Sequence, residues 1–195
     1  MPLADLIALA RAIAEKHSLD AALVCAIVEQ ESSWDAHAIR YEPAFRTRYV
    51  APLGLPPTEE VARSMSWGLM QVMGQVAREH AFNGKFLTAL CDPATGLDVA
   101  CSVLVSKFAA AAAAQASAAN AAALPEAAPQ RCAGILPASL APAAILQPIQ
   151  PEAAPTNSLA SVANEPLITR ALELWNGGGN PNYAFEVQAR IANYK

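Results

Sequence analysis

Between residues 109 and about 163 the chain is dominated by alanine and proline, with seven prolines and only Glu126, Arg131 and Glu152 as charges. Proline removes a backbone donor and breaks regular elements, so no packed core fits this composition. The stretch reads as a linker or low-complexity insertion. Any core must therefore be built from residues 1–108 together with 165–195, with 109–164 set apart. The alanine run before Leu124 is able to continue the helix that precedes it.

A chain of 195 residues holds one compact domain and a remainder. The net charge of −4 and the lack of any Lys/Arg cluster exclude a nucleic-acid binder, which needs a basic stripe to displace counterions. Hydrophobic residues make up 54%, but much of that is alanine. No window reaches the roughly 20 strongly apolar residues of a membrane span, so a soluble protein with no span is expected. The start, Met1 to Ile7, has no positive n-region and is interrupted by Asp5, so no secretory signal is read there. Cys25, Cys91, Cys101 and Cys132 form no CxxC pair and have no histidine at ligand spacing. Neither a zinc site nor any other cofactor is expected, and buried thiols are favoured over a Cys91–Cys101 bridge.

Leu3, Leu6, Ile7, Ala10, Ile13 and Ala14 recur at helical spacing and predict an amphipathic first helix. A second starts after Asp20, a good N-cap, and runs through Leu23, Val24, Ile27 and Val28 to about Ser33. Prolines 43, 52, 56 and 57 exclude a long helix between Asp35 and Ser64, which reads as a functional loop. Helical periodicity resumes from Trp67 to Glu79 and stops near Asn83-Gly84. Asp92-Pro93 opens a core helix carrying Leu97, Ala100, Cys101, Leu104, Val105 and Phe108. Beyond Glu165, a short helix with Ile168, Ala171, Leu172 and Trp175 leads into an Asn/Gly turn and a last helix with Tyr183, Val187, Ile191 and Tyr194. Nothing alternates as a strand, so the expected fold class is all-α.

At about 100° per residue, Leu23, Ile27 and Glu31 share one face of the second helix, while Glu29 lies on the opposite, solvent side. A carboxyl group on an apolar face loses hydration, which raises its pKa toward the range of a general acid. Geometry alone equally allows an ordinary carboxylate at a helix end. Its neighbours in sequence decide between the two: Glu29-Gln30-Glu31-Ser32-Ser33-Trp34 is followed by Gly68-Leu69-Met70-Gln71, and later by Trp175-Asn176-Gly177-Gly178 with Tyr183 behind it.

These three strings, in this order, resemble the signature motifs of lytic transglycosylases, over roughly residues 5–108 and 165–195. The resemblance implies a lysozyme-like helical domain of the goose-type and transglycosylase kind. It implies Glu31 as acid and base, with Ser32, Gln71, Met73, Asn176 and Tyr183 around the substrate. From the residues themselves, Gln71 lies off the apolar stripe and can face a cleft, Met73 falls on the core side, and Tyr183 buries its ring with the hydroxyl free to reach a carboxyl group. Trp34, Trp67 and Trp175 each adjoin a motif and suit either stacking on sugars or packing.

The implied reaction cuts the MurNAc–GlcNAc β-1,4 bond of peptidoglycan and leaves 1,6-anhydroMurNAc without consuming water. The alternatives are a goose-type-like muramidase, in which Asp35, Glu42, Glu59 or Glu60 activates water, and a noncatalytic wall-binding or virion module. The partners expected are glycan strands, and the protein is expected to be a monomer. Lacking a recognised signal, it would reach the wall by holin release, in a virion or through a secretion apparatus. The Tyr41–Phe45 loop is similar to phage-type members, which favours a phage or prophage origin.

Overall fold

The computed structural model describes residues 1–123 and 165–195, so Cys132 and most of the Ala/Pro-rich stretch lie outside the described residues. Helix α2 (Ala21–Ser32) is the hub, with every residue from Ala22 to Val28 buried. A helix that is apolar all round has to be covered all round. Helix α1 (Leu3–Lys16) crosses it with Leu6, Ala10, Ile13 and Ala14 turned inward. The last helices close the other side. The Asp20 carboxylate caps α2 by accepting the Leu23 N–H at 2.8 Å, as its position predicts.

Between α2 and the core helix lies a small lobe. It contains a three-stranded antiparallel sheet of β1 (Ile39–Tyr41), β2 (Met65–Trp67) and β3 (Val72–Met73). Ile39 faces Trp67 across the first pair, and Ser66 faces Met73 across the second. Short helices α3 (Pro43–Phe45) and α4 (Pro57–Arg63) fill the connection, separated by a wide turn over Arg46–Val50 and a tight one over Ala51–Leu53. The prolines thus divide this region as expected.

The helix expected from Trp67 to Glu79 is corrected: its first half is a hairpin, and only α5 (Gly74–Glu79) is helical. Gly68 and Gln71 have φ of +69° and +49°, which no α-helix accepts. Leu69 and Met70, between them, are buried because the loop tip plugs into the core. Apolar spacing over so short a span cannot distinguish a plugging loop from a helix. The expectation of no strands fails for the same reason, since strands of two or three residues are too short to alternate.

The Asp92 carboxylate caps α6 (Pro93–Ala123), accepting the Thr95 N–H at 2.9 Å. The helix continues past residue 108 to Ala123, with Ala111 fully buried, so ordered structure takes in the alanine run. From Pro93 to Asn120 it is long and apolar enough to cross a membrane, with a mean hydropathy of 1.6, which the sequence reading did not anticipate. Its large side chains, Leu97, Leu104 and Phe108, are spent on the core. Helices α7 (Glu165–Asn176) and α8 (Tyr183–Ile191), followed by a turn over Ala192–Tyr194, pack on α6 and α2. Cys25, Cys91 and Cys101 are free thiols, the first and last buried.

Gly68 is fixed by space as well as by conformation. A Cβ placed on it would lie 2.3 Å from the Leu90 carbonyl oxygen. Gly54 has a similar φ of +61° but nothing within 4 Å. Replacing Gly68 by alanine should therefore cost about 2–4 kcal/mol, from left-handed strain plus overpacking, and Gly54→Ala only about 1–2 kcal/mol. Urea midpoints of the two variants would test this, and equal losses would show that the Leu90 contact does not matter.

Candidate active site

Glu31 stands at the end of α2, where the helix leaves the core and meets both the small lobe and the C-terminal helices. Its Oε1 accepts two hydrogen bonds, from the Tyr183 hydroxyl at 2.6 Å and from the Trp175 indole N–H at 3.0 Å. Tyr183 is buried at the first turn of α8, and Trp175 is half-buried at the last turn of α7. Among the described residues, nothing donates to Oε2. An acid arranged this way keeps one oxygen anchored and leaves the other to carry a transferable proton.

Burial pushes the Glu31 carboxyl above the ordinary carboxylate range. The bonds from Tyr183 and Trp175, and the Arg40 guanidinium, draw it back in part. The Tyr183 phenol is raised by its own burial and by the adjacent carboxylate, so it stays a donor. The wheel argument thus places Glu31 correctly and Tyr183 reaches it as expected. Trp175 contributes its indole N–H, where stacking or packing was expected of its ring. Its place immediately before Asn176-Gly177-Gly178 fixes it at a helix end but does not show which edge of the ring is used.

Ser32 ties α2 to the small lobe. Its hydroxyl donates to the Leu69 carbonyl at 2.8 Å and leans on the Val28 carbonyl at 3.2 Å. Gln71 is used inside the hairpin: its amide donates to the Ala38 and Gly68 carbonyls, and its Oε1 accepts from the Ser66 hydroxyl. Both amide protons therefore serve to shape the loop. Met73, expected on the core side, is half-buried at the N-cap of α5. Asn176 closes the glycine turn by donating to the Asn180 carbonyl at 2.8 Å. Beside Tyr183 opens a concavity of about 430 Å³ lined by Arg170, Glu173, Asn176 and Asn180. Trp67 is buried and bonded to the Ala62 carbonyl, which makes it a packing residue. Glu29 lies opposite Glu31 as the wheel suggests and is about a third exposed, but it is also held: the Tyr194 hydroxyl donates to it at 2.7 Å.

Glu31 is thus a half-buried, doubly anchored carboxyl group where α2 meets the small lobe and the C-terminal helices of a helical domain. The family model of the transglycosylase SLT domain matches residues 8–123, more than half of the chain, and the protein belongs to that family, the lytic transglycosylases of the lysozyme-like superfamily that act on peptidoglycan. Comparisons with curated proteins and with solved structures return no match. The matched span holds Glu31 and the Gly68–Gln71 hairpin. Trp175 and Tyr183 join the site through the fold.

Folding raises the Glu31 pKa above the ordinary value of 4.5, so it disfavours the charged form. Below that pH the group costs nothing. As pH rises from 4.5 through the folded value, stability is lost, and it stays lost above. Glu31→Gln keeps an oxygen for both donors and cannot ionise, so it should melt above the wild type at pH 7.5. The difference should close by pH 4. Calorimetry at the two pH values decides, and a pH-independent difference would mean that the acid is not held against its charge.

Proposed function

We propose that Glu31 is the single acid and base of a transglycosylase that cuts the MurNAc–GlcNAc β-1,4 bond and forms 1,6-anhydroMurNAc. The observation carrying this reading is the double anchoring of Oε1, which frees Oε2 for the substrate. Protonated Glu31 gives its proton to the bridging oxygen as the C1–O bond breaks, and the substrate's acetamido oxygen supports the cation at C1. The Glu31 carboxylate then takes the proton of the 6-hydroxyl, and O6 bonds to C1. The proton balance closes on Glu31 and no water enters. Tyr183 and Trp175 bind most strongly when the carboxylate is charged, so they stabilise the state formed as the proton departs.

A muramidase needs a second carboxylate to activate water. Three of the four acids with which that reading began are paired with arginines. Glu42 pairs with Arg40, Glu60 with Arg46, and Glu59 with both Arg63 and Arg78. Asp35 accepts the His37 backbone N–H at 2.8 Å. These pairings support the one-carboxylate mechanism. Ser32 and Gln71 act by shaping the junction, while Met73 and Asn176 line the approach of the glycan.

Digestion of purified sacculi should release muropeptides lighter by one water and without reducing ends, as read by mass spectrometry. Glu31→Gln should lower the rate about 10²–10⁴-fold. Reducing muropeptides would overturn the proposal in favour of a hydrolase. Removing the hydroxyl with Tyr183→Phe takes away a bond that lowers the Glu31 pKa. The alkaline limb of the kcat/KM profile should then move to higher pH, with a lower maximum. A limb that stays in place would separate Tyr183 from the proton transfer.

A further inference from the structure

The last turn of α2 carries a second acid, Glu29, about 200° around the helix from Glu31. On that side a contact set assembles that the reaction does not use. The Tyr194 hydroxyl donates to Glu29 Oε2 at 2.7 Å and accepts the Trp34 indole N–H at 2.9 Å. The Trp34 and Tyr194 rings lie 5.9 Å apart, tilted by 55°. Arg190 Nε stands 3.7 Å from Glu29 Oε1, and Arg11 of α1 donates to the Tyr194 carbonyl. Burial and the bond to Glu29 push the Tyr194 phenol up to about 12, so it remains a donor through the neutral range.

The backbone here needs holding. Ser33 and Trp34 have φ of +51° and +70°, two successive left-handed residues that both carry a Cβ. Such conformations persist only where the surroundings over-determine them. Trp34 is fixed by its indole bond and ring contact to Tyr194. Three residues before it stands Glu31. We infer that Tyr194 is a positioning residue for Glu31, bracing the end of α2 from behind by gripping Glu29 on one side of the acid and Trp34 on the other. The inference rests on the reading of Glu31 as the acid. Tyr183 and Trp175 hold the carboxyl group, Ser32 holds the helix to the hairpin, and Tyr194 sets the rotation of the turn from which that side chain projects.

Without the Tyr194 hydroxyl, the Trp34 indole and Glu29 lose their common partner and the left-handed pair is free to relax. A displacement of about 1 Å in a reacting group costs on the order of 10²-fold in rate. Tyr194→Phe keeps the ring and removes the bonds. On sacculi it should lower kcat about 10- to 100-fold while leaving KM within about twofold, because the substrate contacts are untouched. Trp34→Phe, which removes the indole N–H, should do the same. Glu29→Gln keeps an acceptor for the hydroxyl and should retain wild-type kcat, whereas Glu29→Ala should fall with Tyr194→Phe and add nothing in the double variant. Near-ultraviolet circular dichroism at the assay temperature establishes that each variant is folded.

A folded Tyr194→Phe protein with wild-type kcat, or with raised KM and unchanged kcat, would overturn the inference. So would activity that falls only in proportion to the folded fraction. An inactive wild-type protein would sink the reading of Glu31 and this one with it, whereas an active wild type with an indifferent Tyr194→Phe variant sinks this one alone.

Discussion

The bond between the Tyr183 hydroxyl and Glu31 Oε1 joins residues 152 positions apart, and the site depends on it. A carboxyl group drawn out of water needs donors, or burial alone would hold it neutral and useless as a base. The donors cannot come from α2, whose N–H groups are used along its own axis. They come from α7 and α8, brought over by packing on α6 and α2. The large apolar investment in α6, from Leu97 to Phe108, has its purpose there: it supplies the platform that carries Trp175 and Tyr183 to the acid.

The small lobe is attached to the same helix end by different means. Ser32 reaches the Leu69 carbonyl, and Gly68 passes so close to Leu90 that no side chain fits between them. Ion pairs of Glu59 and Glu60 with Arg46, Arg63 and Arg78 hold the rest of the lobe together. Being partly solvated, such pairs contribute modestly, and the lobe's placement falls mainly to the loop tip buried through Leu69 and Met70.

How much of this was legible in the sequence follows the range of the interactions. The caps at Asp20 and Asp92, the helical stripes and the inward turn of Glu31 are local, and periodicity reveals them. The resemblance to the family's motifs brought in Tyr183. The hairpin at Gly68–Gln71 was hidden, because backbone sign depends on a tertiary contact with Leu90 that no neighbouring residue announces. The bond of Glu29 to Tyr194 was hidden for a related reason. A helical wheel shows a half-exposed face but not which later element will reach it, and here the final turn brings Tyr194 to the end of α2. Trp175 as a hydrogen-bond donor was out of reach, for a ring adjoining a motif carries no sign of which of its edges will be used.

The sequence separation between the acid and its donors also orders events in time. At about 5–20 residues per second, synthesis of the span from Glu31 to Tyr183 takes roughly 8–30 seconds. During that interval α2 exists without α7 and α8, and the bonds from Trp175 and Tyr183 that define the surroundings of Glu31 cannot yet form. The doubly anchored carboxyl group is therefore completed last. A chain ended before Trp175 carries Glu31 but neither of the donors that anchor its Oε1.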